Sequence, residues 1–234
     1  MAISSTHGIA AALNPKLPYD PVKDFTPIGL AAVGPLAVTV HPSVPVTSLS
    51  ELVEYARRNP GRLNFASAGA GSGAHLMGEM LQKLAGLQMV HVPYKGTGQA
   101  VQDVVAGHAQ LLIDGAAVKN YIADGRLRVL ATTGSKRWSA LPQVPTTAEA
   151  GMPQLQTAGW FGLMGPKGVP PAVVARLNQS LASALQSPDV QQALKNQGFD
   201  LPSDTGSAQM ANFIASEVER WRSNLRLINY TPSE

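Results

Sequence analysis

The strongest constraint on the fold is an alternation, between Ser48 and Thr132, of short apolar runs with helical stretches closed by glycine. Ser48-Leu49-Ser50-Glu51 has the form of a capping box, in which a serine hydroxyl and a glutamate carboxylate satisfy the orphan amides of a helix start. Leu52, Val53 and Ala56 give that helix an inward stripe, and Asn59-Pro60-Gly61 stops it. The pattern then predicts a strand over 63–67, a glycine-rich turn over 69–73 and a helix over 74–85 that ends at Gly86. A strand over 89–92 leads through Gly96-Thr97-Gly98 into a helix closed at Gly107, and a third strand, Leu111-Leu112-Ile113, ends in Asp114. A short helix to Gly125 and a strand over 127–132 complete the series. Strands of about 4–6 residues between helices of about 9–13 specify βαβ crossovers, so the fold class is α/β with mostly parallel sheets.

The flanks are less regular. Ala2-Ile3 reads as the end of a buried strand, and a proline-rich connector over 15–27 precedes apolar runs at 28–33 and 36–41 that fit strands. Prolines 142, 145 and 153 keep the segment 134–153 irregular, and the apolar run 155–164 fits a strand passing between two domains. A helix over 170–186 carries Val173, Val174, Leu177, Leu181 and Leu185 on one face, and Ser187-Pro188 starts another. The last helix, over 207–227, carries the stripe Met210, Phe213, Ile214, Val218, Trp221 and Leu225.

Composition narrows the function classes. The 234 residues suffice for one large or two modest domains, and with 44% hydrophobic and 14% charged residues the chain is built to pack a core. A net charge of +3 favours anionic ligands, but no Lys/Arg cluster forms a patch suited to nucleic acid. No apolar run approaches the roughly 20 residues of a membrane-spanning helix. The absence of cysteine rules out disulfides, zinc–thiolate sites and thiol catalysis. The start, Met1 to His7, shows no basic stretch followed by an apolar one, so no export signal is read there.

The segment richest in chemistry is Ser67-Ala68-Gly69-Ala70-Gly71-Ser72-Gly73-Ala74-His75, between a predicted strand and a predicted helix. At the carboxyl edge of a parallel sheet, glycines let backbone N–H groups approach an anion, and the helix N-terminus adds unpaired donors and partial positive charge. Ser67 and Ser72 add hydroxyls; the plain alternative is a tight turn packed with small residues. Pro93-Tyr94-Lys95-Gly96-Thr97-Gly98 is a second loop of the same type, with Thr97 expected as N-cap. Asp114 is placed either to accept a hydrogen bond from a ligand or to cap the next helix, and Thr6 and His7 could contribute from another domain. Gly69, Gly71 and Ala74 also fit a dinucleotide fingerprint, which keeps open a nicotinamide-dependent enzyme. The expected ribose-binding acid is replaced by His91-Val92-Pro93-Tyr94-Lys95, where only Lys95 could meet a 2′-phosphate.

Catalytic constellations are thin. Ser72 is not in G-x-S-x-G, because alanines stand at 70 and 74. The histidines at 7, 41, 75, 91 and 108 show no H-x-x-x-H spacing for a metal. We read no catalytic residue, no metal site and no cofactor; a neutral, donor-rich crevice suits binding better than turnover.

Tyr19-Asp20-Pro21-Val22-Lys23-Asp24-Phe25-Thr26-Pro27-Ile28, the Ser67–His75 loop and His91-Val92-Pro93-Tyr94-Lys95-Gly96 closely resemble the Bug proteins, extracytoplasmic solute receptors of tripartite tricarboxylate transporters. Leu141-Pro142-Gln143-Val144-Pro145-Thr146-Thr147-Ala148-Glu149-Ala150-Gly151 and Trp160-Phe161-Gly162 extend the match. The resemblance implies a periplasmic, two-lobed Venus-flytrap receptor that is not an enzyme and works with membrane transporter subunits. Its ligand would be a di- or tricarboxylate, an aromatic acid or an amino acid. It places residues 1–40 and 159–234 in a first lobe and 41–158 in a second. Ser5, Thr6 and His7 would bind ligand from the first lobe. Ser67, Ala68, Gly69, Gly71, Ser72, Lys95, Gly96, Thr97 and Asp114 would bind it from the second. Two departures stand out: Gly8-Ile9-Ala10-Ala11 replaces the usual Ala-Ile-Asn-Pro, and the family's earlier strands and helices do not precede Met1. An incomplete first lobe is therefore expected, with uncovered edges, and a truncated receptor that binds nothing is the alternative.

Overall fold

The computed structural model describes residues 1–230. It divides into two compact units, one of residues 1–33 with residues 159 onward, the other Gly34–Ala158.

In the first unit, β1 (Ala2–Ile3) leads through a π-helical turn (Ser5–Ile9) into the short α1 (Ala10–Leu13). β2 (Phe25–Pro35) and β8 (Ala158–Pro166) complete a sheet in the order β1-β8-β2, with β1 antiparallel to β8. α6 (Pro171–Gln186), α7 (Pro188–Asn196) and α8 (Ser207–Leu227) follow. The expected stripe of α8 holds: Met210, Ile214 and Val218 pack with Ala2, Ala11, Leu30 and Trp160. α6 forms where the periodicity puts it, yet of its apolar face only Leu185 is buried, and Val173 and Leu177 are exposed. Glu217 is buried on the apolar face of α8, where its carboxylate accepts from Trp160 Nε1 at 3.1 Å and from Arg220 at 2.6 Å. Pairing with a guanidinium and an indole N–H is what makes a buried carboxylate tolerable there.

The second unit holds β3 (Ala37–Val40), α2 (Leu49–Arg58), β4 (Asn64–Ser67), α3 (Gly73–Ala85) and β5 (Val90–Pro93). α4 (Thr97–Val105), β6 (Leu111–Asp114), α5 (Lys119–Ala123) and β7 (Arg128–Thr132) follow. The strand order is β5-β4-β6-β3-β7. β4 is parallel to both β5 and β6, whereas β3 is antiparallel to both β6 and β7. Four of the five strands thus run one way, as mostly parallel sheets require, but β3 enters as a reversed strand and makes the sheet mixed. The capping box forms with a shift: Ser48 Oγ accepts from Glu51 N–H at 3.2 Å, while the Glu51 carboxylate reaches Thr47 N–H at 2.6 Å.

Successive residues of a strand point to opposite faces. Phe65 lies against Gly78 of α3, whereas Ala66 and Leu112 pack with Ala100, Val101 and Val104 of α4. α3 and α4 therefore cover opposite faces of the sheet. The chain leaves β4 toward β5, then crosses back over β4 to β6, and leaves β6 toward β7. Between β4 and β6 the connections part in opposite directions, so their carboxyl ends border a topological switch point, where open α/β sheets bind ligands. Among the described residues no helix is long and apolar enough to cross a membrane.

Candidate functional site

The carboxyl ends of β5, β4 and β6 bring the loops after Ser67, Pro93 and Asp114 to one edge of the second unit. Tyr94 N–H donates to Ser67 O at 2.9 Å, which joins the first two loops. The Thr97 hydroxyl lies close enough to the Asp114 carboxylate to favour its charged form, which joins the second to the third. Ser67, Ala68, Gly69, Gly71, Ser72, Lys95, Gly96, Thr97 and Asp114 thus share one neighbourhood. Ser5, Thr6 and His7 belong to the other unit. There Thr6 Oγ1 lies 2.7 Å from His7 Nδ1, and the buried His7 ring packs against Tyr19 and Phe25 at 5.9 and 5.2 Å between ring centroids. Burial, and then the N-terminal charge, lower the His7 pKa.

Inside the Ser67–Gly73 loop most polar groups are engaged with one another. Gly69 N–H donates to Ser67 Oγ at 3.1 Å, Gly71 N–H to His75 Nδ1 at 3.0 Å, and Ser72 N–H to Gly69 O at 3.2 Å. Ser67 is buried, its Oγ 2.7 Å from His91 Nε2, and the Ser72 hydroxyl caps α3 by accepting from His75 N–H at 3.3 Å. Gly69 and Gly71 have φ of +121° and +76°, conformations that L side chains rarely adopt, so these glycines are required by the turn itself. The N–H groups of Ala70, Gly73 and Ala74 make no hydrogen bond among the described residues. The engagement of the Gly69 and Gly71 amides also removes from the dinucleotide fingerprint the two donors that would have to approach a pyrophosphate, and no carboxylate stands at the end of β5.

The second loop is open. Gly96, not Thr97, is the N-cap of α4: it is fully extended and carries no side-chain cap, and Thr97 is the first helical residue. The Thr97 hydroxyl does not cap its own helix and acts on the Asp114 carboxylate, whose charged form it favours. The N–H groups of Gly96, Thr97 and Gly98 make no hydrogen bond among the described residues, and a Cβ built on Gly96 or Gly98 would meet nothing within 4 Å. Unpaired amides and open space are what an anion at a helix N-terminus needs. Lys95 is exposed beside them, its backbone N–H 3.3 Å from Gln99 Oε1. Asp114 does not cap the following turn; its Oδ1 accepts from Gly115 N–H at 2.7 Å, and burial pushes its carboxyl up from the usual range in spite of that bond and the Thr97 hydroxyl. Tyr94 is pushed up to about 12, by burial first and then by its hydrogen bond to the Asp103 carboxylate.

Sequence reasoning gave no role to His75 and His91. Their rings stack at 3.9 Å, and His91 stacks on Phe65 at 4.9 Å. Phe65 and His91 are cross-strand partners, a register that periodicity alone does not reveal. Burial lowers both histidines, His75 to about 4 with a further push from His91, so both are neutral near pH 7.

Comparisons with known proteins agree with this architecture. Residues 1–230 match the model of the tripartite tricarboxylate transporter family receptor. The chain is 39% identical over 210 residues to the UPF0065 protein of the tcbD–tcbE intergenic region of Pseudomonas sp. strain P51, which covers 89% of this chain and 62% of that protein. It therefore spans less than two thirds of that relative's length. Among solved structures, Rpa4515 of R. palustris with adipate superposes with a TM-score of 0.87 at 33% identity, covering 99% of this chain and 78% of the other. MatC of Rhodopseudomonas palustris with bound malate superposes with a TM-score of 0.82 at 33% identity, over 96% and 77%. These matches bear out the expected α/β periplasmic-binding-protein fold and the resemblance read from the Tyr19–Ile28, Ser67–His75 and His91–Gly96 segments.

Proposed function

Since the chain belongs to the family of tripartite tricarboxylate transporter receptors, we propose that it is a solute receptor which captures a small organic carboxylate on the amides of Gly96, Thr97 and Gly98, assisted by those of Ala70, Gly73 and Ala74. The observation that carries this reading is the pair of helix N-termini, of α3 and α4, that follow adjacent parallel strands with these amides unpaired. Aligned peptide dipoles place partial positive charge at both termini, so an anion is stabilised without a guanidinium. Lys95 adds full charge beside α4. Adipate and malate, the ligands of the two structural neighbours, are both dicarboxylates, and the hydroxyl of a malate-like ligand is a suitable donor for Asp114. On this reading the protein binds and releases its ligand unchanged, acts in the periplasm and delivers to membrane transporter subunits.

Thermal shift with malate, adipate, citrate and benzoate tests the proposal. A ligand at 100 times its Kd adds about 2.7 kcal/mol, or on the order of 5–10 °C in Tm for a chain of this size. Thr97→Pro then tests the site: proline suits the first helical position and the extended Gly96 before it, but it removes one donor amide. Affinity for the best ligand should fall about tenfold or more relative to Thr97→Val, as expected for losing a charge-assisted hydrogen bond. No shift with any of the four acids would refute the receptor reading.

A further inference from the structure

The glycine loop owes its shape to two imidazoles outside the proposed contact set, the buried His75 and the half-buried His91. His75 Nδ1 accepts the Gly71 N–H at 3.0 Å, so this nitrogen carries no proton and His75 is held in the Nε2–H form. Its Nε2 lies 3.7 Å from the Glu79 carboxylate, the natural acceptor for that proton. His91 Nε2 meets Ser67 Oγ at 2.7 Å, and the same oxygen takes the Gly69 N–H. The stacked Phe65, His91 and His75 rings hold both acceptors in place.

We propose that the His75–His91 pair is the positioning element of the ligand loop: it draws the Gly69 and Gly71 amides inward, so that Ala70, Gly73 and Ala74 are the ones left to meet a carboxylate. Neither histidine touches the ligand in this scheme; each acts through a backbone amide that it fixes, directly for His75 and through Ser67 for His91. The inference rests on the carboxylate-receptor reading. It assigns each imidazole a hydrogen-bonding task that a purely apolar ring of the same size cannot perform. With His75 replaced by phenylalanine the stack persists, but the half-buried Gly71 N–H loses its acceptor and is no longer held inward.

Isothermal titration of wild type, His75→Phe and His75→Asn with malate and adipate separates the possibilities. Asparagine lacks the stacking ring but carries an amide oxygen at the branch position occupied by Nδ1. The expected result is a loss of about tenfold in affinity for His75→Phe, the scale of one lost hydrogen bond. His75→Asn should recover most of that affinity. Equal binding by wild type and His75→Phe overturns the positioning role and leaves the receptor reading standing. Binding of neither acid by wild type overturns the receptor reading, and the positioning role with it. If His75→Phe fails to fold, the ring 15N shifts of wild-type His75 at pH 7 decide. A protonated Nε2 and bare Nδ1 support the proposal, whereas a protonated Nδ1 overturns it.

Discussion

Replacing Gly78 by alanine sets two well-calibrated effects against each other. Gly78 lies in the middle of α3 and is buried, and a Cβ there would sit 2.5 Å from Phe65 Cδ2 and 3.0 Å from Cζ. Alanine improves helix propensity by about 1 kcal/mol over glycine. Against that, an added methyl in a packed core costs about 1–3 kcal/mol, and here it strikes the Cδ2–Cε2–Cζ edge of a ring that cannot fold away as a flexible chain end would. Phe65 is 2% exposed and its ring stacks on His91, so it has little room to yield and the cost belongs at the upper end of that range. The net prediction is a loss of about 1–2 kcal/mol, measured by urea unfolding. Phe65→Leu in the Gly78→Ala background should relieve the clash, giving a coupling of about 1 kcal/mol or more in a double-mutant cycle. Because the displaced ring bears on His91, carboxylate affinity should fall as well. A neutral or stabilising Gly78→Ala, or strict additivity with Phe65→Leu, would refute the claim that this ring is wedged against α3.

Three further outcomes follow from the same contacts. The lowered pKa of His75, about 4 against 6.5 in an unfolded chain, means that the unfolded state binds more protons between these values. Stability should therefore be complete above pH 6.5 and fall as pH drops toward 4, by up to about 3 kcal/mol, and the slope should be shallower in His75→Asn when urea midpoints are compared. Thr97→Val removes a hydroxyl that favours the charged form of the half-buried Asp114 and should cost about 1 kcal/mol at neutral pH by urea unfolding, a penalty that narrows as acid protonates the carboxyl. Ser48→Ala should lower stability by about 1 kcal/mol through loss of the α2 N-cap, with no change in carboxylate affinity by titration calorimetry, because Ser48 lies outside the proposed contacts.

The elements from Leu49 to Thr132 are legible in the sequence because their boundaries are set by local chemistry. Ser48 caps α2, Ser72 caps α3, and Gly86 closes α3 in the left-handed region at φ +64°. The same locality explains why α8 falls where its stripe of Met210, Ile214, Val218, Trp221 and Leu225 puts it. Strand direction has no such local signature. The residues of β3, Ala-Val-Thr-Val, suit a buried strand of either sense, and only the pairing with β6 and β7 shows that it runs backwards. Glu217 is invisible to periodicity for a related reason: a charged residue on an apolar stripe reads as an interruption until Trp160 and Arg220, far and near in sequence, are seen to pair with it.

The candidate site shows where composition misleads. A run of glycines between a strand and a helix marks a place where backbone amides can be exposed, and counting them suggests that Gly69 and Gly71 hold the anion. Yet positive φ at these two positions serves to fold the loop upon itself, bringing their N–H groups to Ser67 and His75. An amide that already has a protein acceptor cannot also solvate a carboxylate without giving up that hydrogen bond. On the proposed reading the anion is held by amides that lack an acceptor: those at Gly96, Thr97 and Gly98, where Gly96 and Gly98 face open space, and those at Ala70, Gly73 and Ala74. The alanines, which carry no motif, become the informative residues of the first loop. Gly69 and Gly71 shape the loop, and the Ala70 and Ala74 amides are left in it without a protein acceptor.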